Sequence, residues 1–309
     1  MNNFAYLSTG TVDAALAQIG QVLNDGATHG VGKFIAGGTN LIDLMKENVV
    51  RPARLVDINP LALGAIEPMP EGGLRLGALA RNADTAHHPL VARQYPLLSA
   101  AIGGITRQHA ILGASAHCIA THPSDMCVAL QALDAVVQVQ SPRGVRAIAF
   151  ADFHRLPESS PEIDTTLADD ELITHIELPP AANFAAHSAY IKLRDRASYA
   201  FALVSVAAML DIASDGRVTA ARIAIGGVAH KPWRDPQAEA LLVGQPAEPG
   251  SFKQVADRLL QGAQSYGVGP GSNAFKIVMA HRAVVRALET ALQGTPTQRG
   301  GPQHPEDQP

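Results

Sequence analysis

The periodicity of this chain changes once, and that change limits the fold more than any single residue does. Through the first 80 residues β-type and helical segments alternate. "VGKFIAGGTNLIDLMKENV" reads as strand, glycine turn and helix, "ARLVDI" as a strand, and "GGLRLGALA", with Leu74, Leu76 and Ala78 on one side, as another. Past residue 182 three β-type segments follow in succession, "SAYIKLRDR", "FALVSVAAMLDIA" and "VTAARIAIGGVA", with "SDGR" turning between the last two. Helical patterns take over only from about Gln237 and end in "NAFKIVMAHRAVVRALETAL". Alternation predicts an α/β layer, and strands followed by helices predict an α+β unit. The expected class is α+β: a two-subdomain α/β domain over residues 1–181, then a small α+β domain over 182–293 with a three-stranded antiparallel sheet and a helical bundle. The Pro-, Gly- and Gln-rich stretch 294–309 is expected to be a disordered tail.

Between these blocks the local signals are plain. Thr11 is placed to cap a helix through "VDAALAQIGQVL", with Ala15, Ile19 and Val22 on one side. Arg81 to Ala101 reads as helical, as does "MCVALQAL" after "THPSD". "AVVQVQSPRGVRAIAF" predicts a hairpin turning at Pro142 to Gly144, and "ELITHIELP" a strand stopped by Pro179 and Pro180.

With 309 residues, 47% of them apolar and a net charge of −4, the composition suits two globular domains and argues against a nucleic-acid binder. Two cysteines, Cys118 and Cys127, cannot build a disulfide scaffold or a Cys₄ cluster. The N-terminus lacks the basic and apolar regions of a signal peptide, and no run of about 18 apolar residues predicts a membrane span. By its own sequence the chain is expected in the cytoplasm.

Gly37 and Gly38 stand between a strand and a helix, where free N–H groups of Gly38, Thr39, Asn40 and Leu41 would form an anion site. An ordinary strand-to-helix turn capped by Thr39 or Asn40 fits the same residues, and the motif is not GxGxxG. Asp125 could equally be a helix-start acid, Lys192 a solvated member of "KLRDR", and Gly226–Gly227 a β-bulge. The segment "ITRQHAILGASAHCIATHPSDM" holds His109, His117, Cys118 and His122, but the histidines are spaced by eight and five and there is no CxxC. No metal site is read from it. Adjacent His117 and Cys118 would point apart on a strand, which disfavours a nucleophile and base. Buried small residues in a turn, or a second cofactor loop around Gly113, remain open.

"FIAGGTNLIDLM", "LVDIN", "LRLGALAR", "ATHPSDM", "YIKLRDRASYAFALVSVA" and "IAIGGVAHKPWR" occur in that order. In this they resemble the FAD-binding subunits of the molybdenum hydroxylases, the xanthine dehydrogenase family, over about residues 1–292. "HCIATHPSDM" and "ADFHRLP" bring them nearest to the aldehyde oxidoreductases of that family. The resemblance implies a PCMH-like FAD-binding domain followed by a domain like the C-terminal one of the CO dehydrogenase flavoprotein. It implies that Ile35, Ala36, Gly37, Gly38, Thr39, Asn40 and Leu41 wrap the FAD pyrophosphate, that Asp125 lies beside the ribose, and that Lys192 reaches the flavin. Ile173 would pack on the flavin, Ala78 or Leu79 would line the crevice, and Gly113 would belong to a second loop.

The resemblance further implies no catalytic residue for substrate in this chain. A large molybdenum-cofactor subunit would oxidise an aldehyde or N-heterocycle, a small [2Fe–2S] subunit would relay electrons to FAD here, and an external acceptor would receive them. Resembling subunits carry a second "ATVGGN"-type loop, and the nearest ones an insertion with four cysteines for a [4Fe–4S] cluster. Here Arg107 and Gln108 run directly into His109, so both are missing and that cluster is expected to be absent. Two outcomes are weighed: a working FAD electron-transfer subunit, or a non-catalytic assembly subunit that has lost FAD. The nearest relatives leave the cytoplasm with a signal-bearing partner, so a periplasmic location is the alternative.

Overall fold

The computed structural model describes residues 2–24, 32–103, 121–160, 163–196 and 200–296. The chain opens with β1 (Ala5–Ser8), α1 (Val12–Asn24), β2 (Lys33–Ile35), α2 (Leu41–Lys46) and β3 (Arg54–Asp57). These strands form a parallel sheet of order β1-β3-β2, the expected α/β layer with an added first strand, β1. Thr11 caps α1 as the sequence predicts: its Oγ1 accepts from Ala14 N–H at 3.3 Å. Ala15, Leu16 and Ile19 bury one face of the helix against Val56 and Ile58.

Next come β4 (Ile66–Pro68), β5 (Leu74–Gly77), α3 (Asn82–His87), α4 (Pro89–Gln94), α5 (Pro96–Gly103), α6 (Asp125–Ala132), β6 (Val136–Ser141), β7 (Gly144–Ala149), α7 (Phe150–Phe153) and β8 (Leu172–Leu178). The strands make an antiparallel sheet of order β4-β5-β8-β6-β7. The predicted hairpin is β6–β7, and β8 inserts beside β6 with a register shift between Gln138 and Val139. Leu74 and Leu76 are buried on one side of β5, in keeping with their alternation. Helix α6 is buried on nearly every side and begins at Ser124, whose Oγ accepts from Cys127 N–H at 3.1 Å.

The last block is β9 (Ser188–Leu193), β10 (Val204–Ile212), β11 (Val218–Gly226), α8 (Pro236–Ala240), α9 (Pro249–Leu259) and α10 (Phe275–Leu292). The strands form the expected three-stranded antiparallel sheet, with β10 central. Its apolar run is continuous because both faces are covered. Val204, Val206, Ala208 and Leu210 pack with Phe252, Val255 and Val284 of α9 and α10, while Ala207 and Met209 join the core built around α5 and α6. One strand therefore serves two cores.

The tail differs from expectation at its start. Residues 294–296 do not leave the fold at once: Thr295 Oγ1 donates to Ala185 O at 2.7 Å and accepts from Ser188 N–H at 2.9 Å. A hydroxyl near the end of a helix can satisfy backbone groups that composition alone does not reveal. Residues 297–309 lie outside the described residues.

Candidate functional site

The turn between β2 and α2 is built around one glycine. Gly38 has φ +69°, and a Cβ there would stand 2.6 Å from Ile42 Cδ1 and 3.3 Å from Ile35 Cδ1. Glycine takes this left-handed angle without strain, and any side chain there would also have to displace Ile42. The first α2 bond runs from Ile42 N–H to Gly38 O at 2.9 Å. Among the described residues nothing accepts a hydrogen bond from the N–H groups of Gly37, Gly38, Thr39, Asn40 or Leu41. Asn40 occupies the cap position of α2 but its side chain makes no capping bond, so the ordinary-cap reading of this turn does not describe it. Among the described residues these five successive donors have no protein acceptor, as a turn that binds an anion requires.

A second loop braces this turn. Asn59 Nδ2 donates to Ala36 O at 2.9 Å and to Asp57 Oδ1 at 2.7 Å. Tyr6 O–H donates to the other oxygen, Oδ2, at 2.8 Å. Asp57 is held below the usual carboxylate range, chiefly by the Asn59 N–H, with Tyr6, the Asn59 amide and Ser8 adding to it. Sequence reasoning quoted "LVDIN" as a motif but gave neither Asp57 nor Asn59 a role. Their Asp-x-Asn spacing is a turn signal that could have drawn attention to them.

Asp125 begins α6 and is 2% exposed. Its Oδ1 accepts from Tyr190 O–H at 2.7 Å, and its Oδ2 pairs with Lys192 Nζ at 2.9 Å. Lys192 is therefore no solvated member of a charged run: its side chain is 11% exposed and ion-paired. Tyr190 and Lys192 sit two residues apart on β9, so both reach the same face. The Tyr190 phenol is pushed well above its ordinary range, first by burial and then by the Asp125 carboxylate. Tyr190 is a further member that sequence reasoning left out. Ile173 lies on β8 opposite Val139, half-buried against the larger core. Ala78 N–H donates to Thr174 O and Leu79 N–H to Leu63 O, which fixes the end of β5 beside that strand.

Gly226 ends β11, and a Cβ there would lie 2.6 Å from Val128 Cγ2; Gly227 follows with φ +76°. Gly113, His109, His117 and Cys118 lie outside the described residues. Asp125 and Lys192 are brought into contact, whereas no hydrogen bond or ion pair among the described residues joins them to the Gly37–Leu41 turn.

Residues 2–181 match the family described as the FAD binding domain in molybdopterin dehydrogenase, and residues 188–291 match the CO dehydrogenase flavoprotein C-terminal domain. The chain belongs to the FAD-binding subunits of the molybdenum hydroxylases. The aldehyde oxidoreductase FAD-binding subunit of Escherichia coli is 42% identical over 84% of this chain and 91% of its own length. The glyceraldehyde dehydrogenase medium chain of Sulfolobus acidocaldarius is 30% identical over 73% and 78%. Among solved structures, the carbon monoxide dehydrogenase of Hydrogenophaga pseudoflava superposes with TM-score 0.80 at 26% identity, covering 94% of this chain and 98% of that one.

The residues present fit the cofactor of an FAD-binding subunit. A dinucleotide offers a diphosphate for the open N–H groups of Gly37 to Leu41. The Gly38 position leaves no room for a Cβ that would crowd such a turn.

Proposed function

We propose that this chain is the flavin-bearing electron-transfer subunit of a molybdenum hydroxylase that oxidises an aldehyde. The observation that carries this is the run of N–H groups from Gly37 to Leu41 that have no protein acceptor among the described residues, around a glycine in the left-handed region. On this reading, residues Ile35 to Leu41 hold the diphosphate of FAD, with Asn59 keeping the turn in place through Ala36 O. Asp125 accepts from ribose hydroxyls on turning from the Tyr190 and Lys192 partners that hold both its oxygens in the cofactor-free chain. Lys192 supplies positive charge toward the flavin end, with Ile173 as an apolar wall, and Gly113 belongs to a second loop. The domain division at residue 182 then has a functional sense: residues 1–181 carry the phosphate turn and Asp125, and residues 182–293 contribute Lys192.

When bound, FAD supplies a centre that can take electrons singly and release them in pairs. The chain's own work is to bind and orient it. The substrate is oxidised in a large molybdenum-cofactor subunit, a small [2Fe–2S] subunit delivers the electrons, and an external acceptor removes them. An aldehyde is favoured over a purine because the relatives with aldehyde-oxidising names are 42% and 30% identical, those with xanthine dehydrogenase names 25% and 24%. No described helix is long and apolar enough to cross a membrane.

Bound flavin per chain tests the proposal. The purified full chain is expected to be yellow, to release FAD rather than FMN on denaturation, and to lose most of it in Gly38→Ala. A colourless chain that takes up no added FAD, yet still assembles with its partner subunits, would overturn the proposal in favour of an assembly role.

A further inference from the structure

His122, Cys127 and His154 converge around the start of α6, beside Asp125. His122 lies in the segment leading into α6, Cys127 on the first turn of that helix, and His154 directly after α7. Their ligand-type atoms lie within 4.8 Å of one another, and His122 Nε2 stands 3.2 Å from His154 Nε2. We propose that these three side chains form a zinc site of two imidazoles and one thiolate, with a fourth position open to water or another ligand.

The spacing suits the ion. Two imidazole nitrogens on tetrahedral zinc, at about 2.0–2.1 Å from the metal, stand roughly 3.3 Å apart, close to the separation already present. The Cys127 sulfur needs at most about an ångström of adjustment to complete a three-ligand face. The charged groups facing the cluster are Lys231, beside His154, and Asp125, beside Cys127, the latter already paired with Lys192. Burial pushes the Cys127 thiol up to about 11. Binding would convert this thiol to thiolate with release of one proton to solvent, helped by its place in the first turn of α6. Phe150 and Phe153 stand edge-on to the His154 ring at 5.3 and 4.9 Å and give the site an apolar wall.

Without a metal the two rings hold each other in fixed tautomers. Ser124 N–H donates to His122 Nδ1 at 3.3 Å, so the neutral ring carries its proton on Nε2 and donates it to His154 Nε2. The His154 proton then sits on Nδ1, which is buried with no hydrogen-bond partner among the described residues. Metal binding at the two Nε2 atoms replaces the His122–His154 hydrogen bond and moves the His122 proton to Nδ1, which ends the long Ser124 contact, in exchange for three metal bonds.

The test uses the full chain, loaded with Zn²⁺ or Co²⁺ and freed of loose metal. Elemental analysis is expected to find about one metal ion per chain, as a single closed site requires. The cobalt form should show a thiolate-to-cobalt charge-transfer band and the visible bands of four-coordinate cobalt. Cys127→Ala should lose the charge-transfer band, His154→Ala should lose the four-coordinate spectrum, and Cys118→Ala should keep both. Far-UV circular dichroism separates ligand loss from misfolding. Absence of the charge-transfer band in the folded wild-type chain, or a band that follows Cys118 instead of Cys127, would overturn the proposal.

Discussion

A Cβ added at Gly38 meets Ile42 Cδ1 at 2.6 Å, whereas one added at Gly37 meets nothing closer than Thr39 Cγ2 at 4.0 Å. Neighbouring glycines thus carry unequal weight. Gly38→Ala should destabilise the cofactor-free chain by roughly 1–3 kcal/mol, the cost of forcing an L side chain into a left-handed conformation. Gly37→Ala should leave the urea midpoint nearly unchanged. The Asp125–Lys192 pair is a second contrast at this scale, because both groups are withdrawn from water. Removing one member strands the other, at about 3–5 kcal/mol. Lys192→Met should therefore cost that much, and Tyr190→Phe about 1–2 kcal/mol for the lost bond to Asp125 Oδ1. Adding Asp125→Asn to Lys192→Met should recover part of the loss. A double-mutant cycle by urea denaturation measures the coupling, and additive costs would contradict a direct pair.

Elements are joined here by side chains distant in sequence. His122 and His154 tie the entrance of α6 to the end of α7, and both rings titrate far below the ordinary histidine value because they are buried. Their folded values of about 4 and about 3 lie below the unfolded value near 6.5. The unfolded chain therefore binds more protons as pH falls below about 6.5. The contribution is whole above that pH and is lost on acidification, by about 2 kcal/mol per ring at pH 5. Urea midpoints of the metal-free chain should drop from pH 7 to pH 5, and His154→Gln should flatten the profile. Equal slopes for the two chains would contradict the assignment.

The same elements show what a sequence can disclose. Leu74 and Leu76 alternate, Thr11 precedes an amphipathic run, and three β segments stand in succession, so local physics announces β5, α1 and the β9–β11 sheet. The β2–α2 glycine turn was legible for the same reason, and so was its resemblance to a family. The insertion of β8 between β5 and β6 was not, because strand order depends on long-range packing. Nor was the approach of His154 to His122, or the bond from Asn59 to Ala36, since each joins separate loops through the fold.

Across the whole molecule, β10 turns alternate side chains into two cores, so the domains share a wall. Arg234 fastens that wall. Its guanidinium pairs with Glu239 at 2.7 Å, donates to Gln131 O at 2.9 Å at the end of α6, and pairs with Asp134. Glu239 is buried and its Oε1 also accepts from Ile223 N–H of β11 at 2.7 Å. Arg234→Met would leave this carboxylate without its counter-charge and remove the links to Gln131 and Asp134, at about 3–5 kcal/mol. The single tryptophan, Trp233, is the next residue, so its fluorescence reports on this junction while far-UV circular dichroism reports on the whole chain. In the wild-type chain the two urea transitions should coincide, as one cooperative unit requires. In Arg234→Met the fluorescence transition should move to lower urea and separate from the circular dichroism transition. If both signals shift together by less than 1 kcal/mol, a typical effect at an ordinary surface site, Arg234 does not join the domains.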